Sequence, residues 1–234
     1  MEYWKDHPVR LFVLDGTDSP ISSAVLEGLP DNIEYHHLPF SLQERLKIGG
    51  EMVTTPYVKF LADDDFVIPS AVTQCIEELE GDKELVACMG LVAKFWYMPG
   101  GKILGRDYYP SFKGYKVDQA NAAERMIYHM KSYRPSTVFS VTRTPNWKNN
   151  CRIFGEKYYS AISVAEIGFE LGTCCQGQSK VISSLMWLRS FENLPISNKD
   201  WSREVEISDW LGDSQYKDER EGFVEEFVHH FVEG

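Results

Sequence analysis

Residues 57–69 read YVKFLADDDFVIP, an apolar run from Tyr57 that closes on three consecutive aspartates before Pro69. Tyr57, Val58, Phe60 and Leu61 carry the β-branched and aromatic bias of a buried strand, and Pro56 and Pro69 bound the segment. The aspartates then fall at the strand's carboxyl edge. In open α/β sheets that edge faces the ligand crevice, so Asp63, Asp64 and Asp65 are expected to line a site. Three adjacent carboxylates repel one another, and a hard divalent cation with oxygen ligands, Mg²⁺ or Mn²⁺, would relieve the repulsion and bridge to a diphosphate.

An acidic triplet in isolation reads as a solvated turn; fused to a buried strand it is a rarer pattern. The stretch YVKFLADDDFVIPSAV resembles the strand and D-x-D segment of nucleotide-sugar glycosyltransferases of the GT-A fold, of the inverting family-two type and of small prokaryotic glycosyltransferase domains with a Phe-Leu-x-Asp-Asp-Asp pattern. Many family-two members carry Asp directly after Phe-Leu, where this chain has Ala62. The metal pair implied by the resemblance is therefore Asp63 and Asp65.

Composition narrows the class. At 234 residues the chain suits one large α/β domain, with 24 basic against 35 acidic residues and a net charge of −11. That balance argues against a nucleic-acid partner, whose phosphates need a basic face, and disfavours anionic membrane surfaces. Cys75, Cys88, Cys151, Cys174 and Cys175 show no C-x-x-C spacing, so neither a disulfide framework nor a zinc site is indicated. The start MEYWKDHPVR has no apolar core of a signal peptide, and no run reaches the roughly 20 apolar residues of a membrane span. A reducing cytoplasm is the expected location.

Working outward from the triplet, Val9 to Leu14 reads as a first strand stopping at Asp15-Gly16-Thr17. Ser19-Pro20 opens a helix that Gly28 and Pro30 close, and Ile33 to Leu38 is a second strand. Ser41-x-x-Glu44 has the form of a capping box for a helix over about 42 to 54. The alternation predicts three strands in one parallel sheet joined by right-handed crossovers. Ser70 to Leu79 has helical spacing, and Leu85 to Val92 suits a strand. Phe95 to Tyr115, with Trp96, Tyr97, Tyr108, Tyr109 and Phe112, reads as a long aromatic loop that either contacts an acceptor or caps the core. Ala120 to Ser132 reads as helix, Ser136 to Thr142 as strand, Tyr158 to Gly172 as helix, and Val181 to Arg189 as strand. Phe223, Val224, Phe227, Val228 and Phe231 make a C-terminal amphipathic stripe.

The resemblance implies a single GT-A-like domain with a mostly parallel sheet, in which residues 9–92 hold the nucleotide sugar, 93–190 the acceptor and 191–234 form a helical extension. It implies transfer of a sugar from a nucleoside diphosphate sugar to a glycan or other hydroxyl acceptor, with inversion. Asp15 and Thr17 would meet the nucleoside and Asp63 the ribose or sugar, with Asp64 among the donor-binding residues; Arg45 and Lys47 lie at roughly the family's spacing for a basic residue before the D-x-D, and Arg189 and Lys180 could meet a diphosphate. Glu166 is expected as the base that deprotonates the acceptor hydroxyl, with Glu170, one helical turn on, as its substitute. The bland alternative is a pair of surface glutamates on a helix. Two further readings compete. LFVLDGTDS is superficially like the first motif of haloacid dehalogenase phosphatases, but their nucleophilic Asp would fall at Val13, which cannot form an aspartyl phosphate. A non-catalytic sugar-nucleotide or partner-binding module would keep the same residues without turnover.

Overall fold

The computed structural model describes residues 2–154, 159–191 and 205–231. Tyr158, which begins the expected fifth helix, the polar stretch from Asn198 to 204, and Val232 lie outside the described residues. A two-stranded parallel sheet comes first: β1 (Leu11–Asp15) runs beside β2 (Ile33–His37) in the register Leu11 to Ile33 through Asp15 to His37. Between them α1 (Ser23–Leu26) is a single turn, shorter than the proline and glycine punctuation implies. α2 (Leu42–Met52) starts in the expected box: the Ser41 side chain accepts from the Glu44 amide, and the Glu44 carboxylate accepts from the Ser41 amide.

The rest of the chain builds a mixed seven-stranded sheet flanked by helices. In chain order its elements are β3 (Tyr57–Lys59), β4 (Phe66–Val67), α3 (Pro69–Gly81), β5 (Leu85–Met98), β6 (Lys102–Asp107), β7 (Lys116–Val117), α4 (Ala122–Met130), β8 (Val141–Arg143), α5 (Thr144–Phe154), α6 (Ile162–Gln176) and β9 (Gln178–Ser190). α7 (Ile207–Gly212) and α8 (Lys217–Phe231) follow. The strand order is β3-β8-β5-β9-β4, with β6 on β5 and β7 on β9. The α/β class is as expected, and two details of the sheet are not. β3 does not join β1 and β2; it is an edge strand of the large sheet, paired antiparallel with β8 through Tyr57 to Arg143 and Lys59 to Val141. Within the large sheet only β5 and β9 run parallel. The crossover rule sets the hand of a parallel pair once the pair exists, but it does not say which later segment will occupy a strand's edge.

Three other segments differ from their sequence reading. Phe95 to Tyr115 is not a loop: β5 continues to Met98 and folds back as β6 through a turn in which Gly100 and Gly101 have φ of 81° and 74°. From the same stretch, Phe112 is 1 % exposed and packs in the core with Tyr108, Tyr109 and Tyr115 against it. Only Val141 onward is strand in the region 136–142. α5 is unannounced because Pro145 and three asparagines hide its periodicity, yet Trp147, Cys151 and Ile153 are buried.

The main core lies between α3 and the long central pair β5 and β9. Ala71, Cys75 and Leu79, spaced along one helix face, are at most 1 % exposed against Cys88, Met89 and Met186. Each leucine-sized side chain buried this way stabilises the fold by roughly 1.5–3 kcal/mol. A second core joins α6, α7 and α8, where Phe227, with Phe223 and Phe231 beside it, packs with Trp210 and Tyr159. The C-terminal stripe therefore faces its own domain, with Val224 left 57 % exposed.

β5 and β9 approach most closely at Gly90, where the register shifts. A Cβ there would stand 2.5 Å from both the Ser184 carbonyl oxygen and Met186 Cβ. Gly90→Ala is expected to destabilise the domain by about 1–3 kcal/mol, read as a lower Tm in thermal denaturation; an unchanged Tm would show that the two strands can part there at no cost.

Candidate active site

The triplet splits as it leaves β3. Asp63 and Asp64 occupy a turn, exposed and half-exposed, while Asp65 is only 8 % exposed. Its orientation is set from β9. Trp187 Nε1 donates to Asp65 Oδ2 at 2.7 Å, and the Ser190 amide donates to Oδ1 at 3.0 Å. β4 pairs Phe66 with Leu188 and Val67 with Trp187, so one further step of that register sets Asp65 across from Arg189. Burial, chiefly, raises the Asp65 pKa; the two hydrogen bonds lower it, Asp64 raises it, and Arg189 lowers it.

Glu166 enters the same site from α6. Its Oε1 accepts a 2.7 Å hydrogen bond from the Tyr133 hydroxyl. Burial raises its pKa most, the Tyr133 bond opposes this, the charge of Glu170 adds to it, and Arg189 lowers it. Arg189 therefore acts on Asp65 and Glu166 alike, which joins the aspartate turn to α6 through one guanidinium. That guanidinium lies over Tyr108 at 5.3 Å, Trp187 at 5.4 Å and Phe191 at 6.0 Å, so aromatic faces hold it in place. Tyr109, whose phenol burial pushes up, also feels Arg189 and Glu166 and brings the end of the β6 segment to the site.

Glu170 has a different part. It is 0 % exposed, and its carboxylate accepts from the Thr137 amide at 2.8 Å, the Val138 amide at 3.0 Å and the Thr137 hydroxyl at 2.7 Å. His129 Nε2 stands 3.0 Å from Glu170 Oε2 as a charge contact without hydrogen-bond alignment, and His129 Nδ1 meets the Tyr115 hydroxyl at 2.7 Å. A carboxylate so fully engaged is a structural anchor between α4, α6 and the turn 136–140, and these bonds occupy the oxygens that a substitute base would offer a substrate. Residues 136–140 stay out of the sheet because they wrap this carboxylate.

The other predicted contacts gather at the end of β1. Asp15 Oδ1 accepts from the Thr17 amide at 2.9 Å, and Oδ2 takes the Tyr35 hydroxyl; the latter bond, first, and the former hold the Asp15 pKa below its ordinary value. Arg45 reaches back from α2 to the Leu14 carbonyl at 3.1 Å and fills the space where Gly16 lacks a side chain. Its Nε is buried with no hydrogen-bond partner among the described residues. Lys47 is half-buried on the same helix and has contacts of its own.

The predicted residues thus form two groups, Asp15, Thr17 and Arg45 in one and Asp65, Glu166 and Arg189 in the other. Sequence reasoning missed Tyr133 and Trp187. Trp187 was open to inference, since in a strand it shares a face with Arg189 two residues on; nothing local marks Tyr133. Lys59, also missed, ends β3 with its ammonium donating to the Phe139 carbonyl, and burial lowers its pKa to about 8 despite the nearby charges of Cys75 and Asp65. Among the described residues no three of His, Cys, Asp and Glu converge as a cation cluster. All five cysteines are free, and no described helix is long and apolar enough to cross a membrane.

No family model matches the chain, and no curated protein resembles it in sequence. Among solved structures it is similar to residues 1–349 of TarS from S. aureus, a wall teichoic acid glycosyltransferase. The superposition has a TM-score of 0.55 at 12 % identity and covers 96 % of this chain and 72 % of that one. At that identity the likeness speaks for the fold, a glycosyltransferase-like α/β architecture.

The two glutamates should separate in stability. Glu170→Gln places an amide donor among amide donors and is expected to cost about 3 kcal/mol or more, whereas Glu166→Gln keeps a hydrogen-bond acceptor for Tyr133 and leaves the fold near wild type. The folded chain holds the Glu166 proton to higher pH than the unfolded chain, which releases it near 4.5. Stability therefore falls as pH rises through the raised pKa, and Glu166→Gln should flatten that fall in denaturant titrations. Equal losses for the two variants would contradict the division of roles.

Proposed function

We propose that the chain is a metal-dependent glycosyltransferase that moves a sugar, with inversion, from a nucleoside diphosphate sugar to a hydroxyl acceptor. The observation that carries this reading is the charge coupling of Asp65 and Glu166 through Arg189 on a glycosyltransferase-like fold. An inverting transfer needs an acid-holding end for the leaving diphosphate and a base at the acceptor, with a cation between them to offset developing charge. Arg189, whose charge lowers the pKa of both carboxylates, is the residue we assign to that part.

In the proposed reaction Glu166 takes the acceptor's hydroxyl proton as the acceptor oxygen bonds to the anomeric carbon and the nucleoside diphosphate departs with the electron pair of the broken bond. A partly buried glutamate with a raised pKa suits that proton transfer near neutral pH, and Tyr133 aims the carboxylate. Arg45, with a buried Nε lacking a partner, suits a donor phosphate or carbonyl at the end of β1, next to the Asp15 and Thr17 turn.

The aspartate turn offers the donor chemistry of a hard divalent ion, although Asp65 is turned inward and the carboxylates do not converge among the described residues. Its donors are all carboxylate oxygens, and the charge of Asp64 already pushes the Asp65 proton affinity up. Mg²⁺ or Mn²⁺ takes one or two carboxylates and fills its remaining positions with substrate phosphate and water. Asp63 and Asp65 would hold it, with Asp64 adjacent, and it would neutralise the diphosphate when bound.

The test is thermal-shift or calorimetric titration with a panel of nucleoside diphosphates, with Mn²⁺ and with chelator. One nucleotide is expected to raise the Tm only with metal present, and Asp65→Asn to abolish that shift. With the donor so identified, Glu166→Gln should keep donor affinity and lower kcat by about 10²-fold or more. No stabilisation by any nucleotide would overturn the transferase reading.

A further inference from the structure

The β5–β6 hairpin projects beyond the core with an unusual surface. Every residue of β6 is exposed, on both faces of the strand, and these include Ile103 at 64 % and Leu104 at 54 %. Met98 at the turn is 45 % exposed, and Phe66 and Phe191 at the hairpin's base are 42 % and 39 % exposed. Scattered apolar residues need no explanation, but a contiguous apolar run on one projecting ribbon marks an interaction surface.

Charge narrows the occupant. The pairs Lys94 with Arg106, Trp96 with Leu104 and Met98 with Lys102 put three cations on the same face as Trp96, Leu104 and Met98. Over residues 94–106 there is no acid, although the whole chain carries −11. Asp107, the next residue, is paired with Lys113 at 3.1 Å. A second copy of the chain is disfavoured at the free edge of β6: antiparallel pairing centred on Leu104 would set Lys102 opposite Arg106, like charge against like. Exposed aliphatic side chains among Lys and Arg, with a half-buried indole beside them, are instead a composition that seats in the interface of an anionic bilayer. The acidic remainder of the protein does not forbid this, because salt screens charges beyond about 8 Å.

We propose that the β5–β6 hairpin docks the protein on a membrane surface rich in anionic phospholipid. Leu104 and Met98 enter the headgroup boundary, with Ile103 on the ribbon's other face beside them near the tip, while Lys102 and Arg106 meet lipid phosphate. The same β5 strand continues into the core beside Arg189 on β9, through the Lys94 to Arg189 register. Docking therefore presents the candidate site at the bilayer surface. This inference stands on the hairpin alone, independent of the chemistry proposed for the site.

Vesicle co-sedimentation at about 0.15 M salt, where the acidic remainder of the chain is screened, tests it, using phosphatidylcholine vesicles with and without about 30–40 mol % phosphatidylglycerol, a composition chosen to give a strongly negative surface. The full chain is expected to sediment with the anionic vesicles at least about tenfold more than with neutral ones, and to be released as salt rises. Ile103→Glu with Leu104→Glu should abolish sedimentation, and Lys102→Glu with Arg106→Glu should do so through charge alone; both pairs are exposed, so wild-type circular dichroism is expected and checked. Equal binding to neutral vesicles, or none to anionic ones, would overturn the proposal. So would a concentration-dependent dimer in light scattering that the Ile103→Glu and Leu104→Glu variant dissolves, since the face would then be a subunit interface.

Discussion

A carboxylate with no exposure to water holds α4, α6 and the turn 136–140 together. Taking an ionised carboxyl out of water costs on the order of several kcal/mol, and Glu170 offsets that cost with amide, hydroxyl and imidazole contacts drawn from two segments. Because those donors belong to the turn 136–140 and to α4, the charge can be satisfied only when both are packed on α6. Once α6 is fixed in rotation, Glu166, one turn earlier, is carried to Tyr133 and the charge of Arg189. The anchor and the candidate base are thus two readings of one helical repeat, separated by where each side chain finds its donors.

On the opposite side, Asp65 plays a comparable part for the sheet. Its carboxylate ties the short β4 segment to the far end of β9 through Trp187 and Ser190. β4 has two residues, too few to define an edge by backbone pairing, so the side-chain bonds add what the ladder lacks. The arrangement also separates the three aspartates by function, one turned inward and two left at the surface, and it explains why adjacent carboxylates survive without a converging third ligand.

The long central pair β5 and β9 links these halves to the projecting ribbon. β5 is buried from Leu85 to Gly90 and becomes exposed from Tyr97 onward. One continuous strand therefore passes from the core, past Arg189, to the surface of the hairpin, and its side chains change from small and apolar to aromatic and cationic along the way. Lys94 marks the transition, with its ammonium over Trp96, Tyr108 and Phe191.

The sequence by itself determined what rests on short-range physics. The alternation of strand and helix through residues 9–92, the Ser41 and Glu44 cap, α3 behind its proline, and the triplet at a strand's end follow from periodicity, capping and φ constraints that act within a few residues. Glu166 and Arg189 were also legible as candidates, from helical spacing and from position at the end of a strand. Only the tertiary structure decided which carboxylates are anchors. The donors that single out Glu170 lie 33 residues away, and the amide that orients Asp65 lies 125 residues away. The same holds for strand partners: β3 reads as a neighbour of β1, yet a three-residue strand from the second half of the chain takes its edge, and the aromatic stretch after Phe95 pairs as a hairpin whose exposure no local pattern predicts. Burial and pairing are properties of what arrives from elsewhere in the chain, and a carboxylate's role is fixed by the donors that reach it.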